Sequence, residues 1–377
     1  MMDVALDDTT QHASDWLRQL ERALTHSSPE ALEPLFLPDA YWRDALALTW
    51  NLETFECAPT IADRLWSGAN TAGLASLQLD RSAPAPQLVE RVGRPCIEAF
   101  FTLETTVGRG RGIVRLVTED GEIWRAWTLL TALEELKGFE ETTGDNRPIG
   151  QSYSRDFEGP NWLDKRAESE AYEDRDPVVL VVGGGQAGLS IAARLTQLGI
   201  DTLIVDKHER VGDNWRKRYH ALTLHNQVHV NHLPYMPFPP NWPVYIPKDK
   251  LANWFEFYAE AMELNFWTGH ELGEATYDDA SQTWSATLRR ADGSFRTLRT
   301  RHIVMATGVS GIPNMPDLPG LDDFCGEIVH SSRYSDGEDW RGKSAVVIGT
   351  GNSGHDVAQD LASSGADVTL VQRSSTL

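Results

Sequence analysis

Two short glycine runs carry the strongest chemical signal in this sequence of 377 residues. The first is Gly183-Gly184-Gly185-Gln186-Ala187-Gly188 and the second is Gly349-Thr350-Gly351-Asn352-Ser353-Gly354. Each follows a short apolar stretch (Val178–Val182, Ala345–Ile348), opens a helical pattern reaching about Leu198 or Ser363, and leads to a second apolar stretch (Thr202–Val205, Asp367–Val371). With no gap, at an offset of 166 residues, Gly183, Gly185, Gly188, Ala192, Leu195, Gly199, Asp201 and Val205 fall on Gly349, Gly351, Gly354, Ala358, Leu361, Gly365, Asp367 and Val371. One strand–turn–helix–strand unit therefore occurs twice. In such a unit the first glycine permits the tight turn, the second lets the backbone approach a pyrophosphate, and the third packs helix on strand. The helix N-terminus adds N–H donors and a positive dipole end. Gly183, Gly185, Gln186, Ala187 and Gly188 are read into this role in the first copy, and Gly349, Gly351, Asn352, Ser353 and Gly354 in the second.

The residue ending the second strand separates the two copies. Asp206, followed by Lys207, closes the first, and an acid there binds a free ribose diol, as in FAD or NAD. Gln372 takes that place in the second copy, with Arg373, Ser374 and Ser375 after it. An arginine pairs with a 2′-phosphate that a carboxylate would repel, so the second copy suits NADP(H). A surface arginine at a strand end is the plain alternative. Two dinucleotides in one chain make a redox relay, in which a nicotinamide gives hydride to the first ligand if that ligand is flavin.

Between the copies, Phe324-Cys325-Gly326-Glu327-Ile328-Val329-His330-Ser331-Ser332-Arg333-Tyr334 fits the fingerprint FxGxxxHxxxY without a mismatch. With Gly212-Asp213-Asn214-Trp215-Arg216 and Ala306-Thr307-Gly308, taken to end a buried strand, residues 177 to 377 resemble the class B flavoprotein monooxygenases, the flavin-containing monooxygenase family. Baeyer–Villiger relatives carry Trp where this chain has Tyr334. The resemblance implies FAD on the first loop and Asp206, with Asn214, Trp215 and Arg216 lining the flavin side, and NADPH on the second loop and Arg373. It also implies oxygen transfer from O2 through a C4a-(hydro)peroxyflavin to a small organic substrate, either a soft nitrogen or sulfur nucleophile or a 2-oxo acid. Asn226 aligns with a family asparagine near flavin and nicotinamide, though a loop asparagine also serves simply as a turn former. His330 is expected to couple cofactor binding to catalysis without being the proton donor. Family members continue beyond the point where this chain stops, so a C-terminally truncated form with an incomplete FAD domain is expected. A Baeyer–Villiger ketone monooxygenase and a non-catalytic FAD-binding or interaction protein stay open as alternatives.

The elements that must position these residues read as follows. Residues 1–139 begin with an amphipathic helix over 13–24, with Ser14 as its N-cap, and continue into strands Ile97–Thr106, Gly112–Thr118 and Glu122–Leu133, the last two joined at Asp120-Gly121. This α+β segment resembles an NTF2-like cone, a fold that serves equally as enzyme, pocket or dimer surface, and a homodimer is compatible with it. Residues 140–176 lose apolar periodicity, hold eleven acids against five bases, and read as an acidic linker or a surface-wrapping connection. The α/β part divides into an FAD-binding domain over 177–311, incomplete, and the N-terminal part of an NADPH-binding domain over 312–377, built from short buried parallel strands and helices.

Composition sets the outer bounds. With 34 basic and 55 acidic residues the net charge is −21, which opposes nucleic acid and anionic membrane surfaces, so phosphate must be held locally. Cys57, Cys96 and Cys325 lie far apart, without the vicinal pair of a disulfide reductase, and suit a reducing compartment. The acidic start lacks the features of a signal peptide, and no apolar run reaches the ~20 residues of a membrane span, so a cytoplasmic protein is expected. His220, His225, His229 and His232 crowd together, but HNQVH lacks the glutamate of HExxH, and Val228 and Val230 suggest extended chain, so no metal is assigned. Six prolines over Leu233–Pro247 read either as a cover for the flavin or as a rigid structural loop, and the helix after Asp249 turns Leu251, Trp254, Phe255 and Tyr258 inward.

Overall fold

The computed structural model describes residues 6–26, 28–119, 121–153 and 157–374, in two compact units that divide between Glu141 and Thr142. Asp120 and Ser375 lie outside the described residues.

The first unit contains α1 (Leu6–Leu24), β1 (Phe36–Ala45), β2 (Leu52–Glu56), α2 (Ala58–Ala72), β3 (Ser76–Leu79), β4 (Gln87–Arg91), β5 (Arg94–Glu104), β6 (Gly108–Thr118) and β7 (Trp124–Leu136). Its sheet runs β2-β1-β7-β6-β5-β3, with β4 also on β5. Every pair is antiparallel except β1 with β7. Helix α1 is in place by Leu6, so Ser14 sits inside it and is not its N-cap. The stripe of Trp16, Leu17 and Leu20 is buried in one core with Ile97, Phe101, Val114 and Leu116 of the sheet.

The second unit opens with α3 (Gly150–Tyr153) and α4 (Trp162–Ala171), then β8 (Val179–Val182), α5 (Gln186–Gln197), β9 (Thr202–Val205), α6 (Asp213–Arg216), β10 (Thr223–Gln227), β11 (Tyr245–Pro247) and α7 (Lys248–Ala261). It continues with β12 (Asn265–Trp267), β13 (His270–Asp278), β14 (Thr283–Arg290), β15 (Phe295–Thr300), β16 (His302–Met305), β17 (Ser344–Ile348), α8 (Asn352–Ser363) and β18 (Asp367–Val371). A parallel sheet of order β12-β9-β8-β16 carries the first glycine loop, and β17 pairs in parallel with β18 to carry the second. Strands β8 and β9 are buried on both faces, which explains their unbroken apolar runs. Val179, Val181 and Ile204 pack with Leu189 of α5 and Phe255 of α7, while Leu180, Val182, Leu203 and Val205 meet Ala286, Leu288 and Leu298 of the antiparallel β13-β14-β15 sheet.

Burial fails elsewhere, for a topological reason. Strand β16 is an edge strand whose Met305 is 62% exposed, so the stretch before Ala306-Thr307-Gly308 is not the buried strand expected. Among the described residues β17 and β18 pair only with each other, and Val346 and Ile348 are exposed.

The acidic stretch wraps the second unit. Asn161 and Asp164 form a capping box that starts α4. The Tyr172 hydroxyl donates to Asp201 Oδ1 at 2.7 Å, Arg175 Nε to Asp201 Oδ2 at 3.1 Å, and Trp267 Nε1 to the Glu170 carbonyl at 2.7 Å. Its side chains and backbone thus find partners on β12 and at the entry to β9, an outcome that periodicity cannot register. Among the described residues no helix is long and apolar enough to cross a membrane.

Candidate functional site

The first glycine loop leaves β8 at Gly183, whose φ of +106° favours glycine; a Cβ there would stand 2.5 Å from the Ala306 carbonyl oxygen. A Cβ on Gly188 would lie 1.9 Å from the Gly183 carbonyl oxygen, so the third glycine lets α5 rest on its own turn. One on Gly185 would come 3.0 Å from Asn214 Nδ2, and one on Gly184 would strike the Phe266 ring. Gly349 repeats the positive φ, at +108°, and a Cβ on Gly354 would lie 2.2 Å from the Gly349 carbonyl oxygen, while a Cβ on Gly349 or Gly351 would meet nothing within 4 Å. Gly185 and Gly351 are the N-caps of α5 and α8, and neither helix has a side-chain cap. Gln186, Ala187 and Asn352 are exposed there, with Ser353 half-buried. Uncapped N–H groups beside bare glycine fit a pyrophosphate.

Asp206 is held through both of its carboxylate oxygens. One carboxylate oxygen accepts the Gly184 N–H at 2.7 Å; the other accepts the His208 N–H at 2.9 Å and faces His208 Nδ1 at 2.6 Å. Burial alone would raise its pKa, but the His208 ring and the two backbone donors outweigh it and hold the carboxyl below the ordinary aspartate range. The resulting stabilisation is complete above an unfolded pKa of about 3.9 and is lost as pH falls through the lower folded value. Asp206→Asn is therefore expected to flatten the acid limb of thermal unfolding of the second unit, followed by circular dichroism between about pH 5 and pH 2. An unchanged acid limb would contradict the assignment. His208 and Gly184 went unread in the sequence, because neither belongs to the glycine spacing.

The two loops converge on one cleft. A cavity of about 260 Å³ is lined by Gln186 of α5, Asn352 of α8, Trp215 of α6, Leu224, His225 and Asn226 of β10, Asn231, and Leu251 and Phe255 of α7. Trp215 Nε1 donates to Gln186 Oε1 at 3.3 Å. The turn after Asn226 is held by Asn231 Nδ2, which donates to the Asn226 and Gln227 carbonyls at 3.1 and 3.0 Å. Residues Val228–Val230 form a 3-10 turn rather than extended chain, since the chain must reverse toward the proline run. His225 Nε2 stands 3.2 Å from Asp356, and His232 Nδ1 accepts the Phe238 N–H at 2.9 Å. Phe238 stacks on Trp242 at 4.7 Å and joins the α7 core, so the proline-rich loop is packed structure. Among the described residues no group of three or more His, Cys, Asp or Glu is gathered as for a metal ion.

Other predicted site residues stand apart from the cleft lining. The Arg216 guanidinium turns to Asp213 at 2.5 Å, to the Val211 carbonyl and to Asn253, so it braces α6 against α7. The neighbouring acids draw it inward, a contact that local spacing cannot reveal. His330 is half-buried, with Nδ1 accepting the Ser332 N–H at 3.1 Å and lying 2.9 Å from Ser332 Oγ. Lys207 is exposed, as are Arg373 and Ser374 after β18. Tyr334 of the fingerprint donates its hydroxyl to Asp360 Oδ2 at 2.6 Å, and Tyr219 donates to Asp356 Oδ2 at 2.6 Å. Burial, with the Asp356 carboxylate beside it, pushes the Tyr219 hydroxyl up to about 12.

Residues 180–377 match the family model described as pyridine nucleotide-disulphide oxidoreductase. The chain is 35% identical over 212 residues to indole-3-pyruvate monooxygenase YUCCA1 of Oryza sativa subsp. japonica, covering 56% of this chain and 51% of that protein. It is 32% identical over 197 residues to indole-3-pyruvate monooxygenase YUCCA6 of Arabidopsis thaliana, covering 52% and 47%. A solved flavin-containing monooxygenase from Stenotrophomonas maltophilia superimposes with a TM-score of 0.47 at 26% identity, covering 52% of this chain and 57% of that one. The chain spans about half the length of the curated relatives it matches.

Proposed function

From the premise that this chain belongs to the pyridine nucleotide-disulphide oxidoreductase family, we propose that it works as an NADPH- and O2-dependent flavin monooxygenase. The observation that carries the reading is the convergence of two uncapped glycine-loop helices, through Gln186 and Asn352, on a cleft that also holds Trp215 and Asn226. A disulfide-reducing role is disfavoured, because Cys325 is the one cysteine in residues 180–377 and no partner thiol stands beside it in sequence. The flavin monooxygenase relatives support the oxygen-transferring branch instead, and those named for indole-3-pyruvate favour a 2-oxo acid over a nitrogen or sulfur nucleophile.

The N–H groups of Gln186, Ala187 and Gly188 would hold the FAD pyrophosphate and Asp206 its ribose, with Asn214 beside the loop and Trp215 walling the cleft. The α8 N-terminus would hold the NADPH pyrophosphate, and Arg373 its 2′-phosphate. Bound FAD supplies hydride acceptance and activation of O2. The chain's own part is to aim the two dinucleotides at one cleft, offer the Asn226 amide there as a hydrogen-bond donor, and exclude water with Leu224, Leu251 and Phe255. We read the first unit as an NTF2-like cone, on its two helices and seven-stranded sheet, and the protein as cytoplasmic, on its dispersed cysteines.

The test is spectral. Purified protein is expected to be yellow and to bleach faster with NADPH than with NADH under anaerobic mixing. A colourless protein that takes up no added FAD would overturn the reading. Arg373→Ala is expected to raise the KM for NADPH about tenfold or more while leaving that for NADH within about twofold, since only NADPH carries the phosphate. Equal losses would contradict the assigned role of Arg373.

A further inference from the structure

Helix α8 carries a pair of acids that its counterpart lacks. Asn352, Asp356 and Asp360 recur every four residues and so share one helix face. At the ungapped positions of α5 stand Gln186, Ser190 and Arg194, so the repeated unit folds without acids there. Both acids of α8 are engaged from outside the repeat. Asp356 Oδ2 accepts the Tyr219 hydroxyl at 2.6 Å and lies 3.2 Å from His225 Nε2, while Asp360 Oδ2 accepts the Tyr334 hydroxyl at 2.6 Å. Tyr219 and Tyr334, their ring centroids 6.3 Å apart, are buried with Leu222, Val357 and Leu361, and the His220 N–H donates to the Ser335 carbonyl at 2.7 Å.

We propose that Asp356 is a positioning residue: by gathering Tyr219 and His225 on one carboxylate oxygen, it fixes the second nucleotide helix against β10, so that Asn352 and Asn226 face the same cleft. His225 directly precedes Asn226 in β10, and Asn352 lies one helical turn before Asp356, so a rotation or slide of α8 would displace both walls of the cleft together. The apolar contacts of Val357 and Leu361 hold the helix near Tyr219, Leu222 and Tyr334 but have no direction, whereas a charge-assisted hydrogen bond sets angle and distance. Asp356 does not itself line the cleft and acts through His225 and through its own helix. This rests on the reading that the cleft seats flavin and nicotinamide.

The test compares the unaltered chain, Asp356→Ala, Tyr219→Phe and the double variant by four measurements: FAD content, NADP+ affinity by equilibrium dialysis, the rate of flavin bleaching on rapid mixing with NADPH, and hydrogen–deuterium exchange over residues 219–227 and 352–363. FAD content and NADP+ affinity are expected to stay within about twofold, while Asp356→Ala slows bleaching about tenfold or more, as misplacement of reacting groups does. The double variant is expected to be no slower than Asp356→Ala, because the hydroxyl acts through the same carboxylate, and exchange over 219–227 is expected to rise in every variant. Multiplicative losses in the double variant, or a slowing that tracks lost NADP+ affinity, would overturn the proposal, as would unchanged bleaching and exchange. If the unaltered chain takes up no FAD, the monooxygenase reading fails separately and exchange alone decides: raised exchange supports the positioning role and unchanged exchange refutes it. If Asp356→Ala does not fold, Tyr219→Phe, which lacks a single hydroxyl, carries the same comparison.

Discussion

Gly188→Ala is expected to yield a chain without bound FAD and with its first nucleotide unit weakened by about 3 kcal/mol or more. The added Cβ would lie 1.9 Å from the Gly183 carbonyl oxygen, and backbone, unlike the end of a flexible side chain, cannot move aside cheaply. Relief requires α5 to lift off its own turn, which withdraws the N–H groups of Gln186 and Ala187 from the pyrophosphate seat and opens the contact of Leu189 with Val179 and Val181. Visible absorbance of the purified variant and its thermal unfolding check both parts. A yellow variant as stable as the parent would mean that the turn and helix are not held as closely as the geometry shows.

Gly351→Ala is expected to act the opposite way on structure and nearly as strongly on binding. Its φ is −73°, a value alanine adopts freely, and its added Cβ would meet nothing within 4 Å. The fold therefore has no stake in this glycine, and the melting temperature is expected to stay within about 2 °C of the parent. A pyrophosphate on the α8 N-terminus needs that space, so NADPH affinity is expected to fall about tenfold or more while FAD content is unchanged. Unaltered NADPH affinity in a titration of the variant would remove the second loop from the proposed function. The pair separates two roles of glycine that one motif conflates: Gly188 serves packing within the protein, whereas Gly351 leaves open the space that the proposed ligand needs.

Much of this was legible in the sequence because it is local. The β8–α5–β9 unit and its copy follow from glycine backbone freedom, from apolar runs buried on both faces, and from the uncapped start of a helix, all within about thirty residues. The acid at Asp206 is readable for the same reason. Where local pattern misled, a distant neighbour decided. Ser14 looks like a helix start, yet the helix is already formed by Leu6; β16 and β17 look buried, yet burial depends on which strands lie alongside. The acidic run 140–176 has no period of its own, and Asp201 and Asn265 give its side chains a place to bind.

By itself the sequence determined that this chain carries one strand–glycine turn–helix–strand unit twice, the first copy ending at Asp206 and the second at Gln372 with Arg373 after it. Only the tertiary structure decided that the two glycine loops share a cleft, that Arg216 braces α6 against α7 and stands apart from the cleft lining, and that Asp356 holds Tyr219 across a separation of 137 residues. The reason is physical. A phosphate loop is specified by dihedral angles and helix ends that adjacent residues set, whereas the angle between two packed units is set by side chains meeting across them, and no spacing along the chain records that.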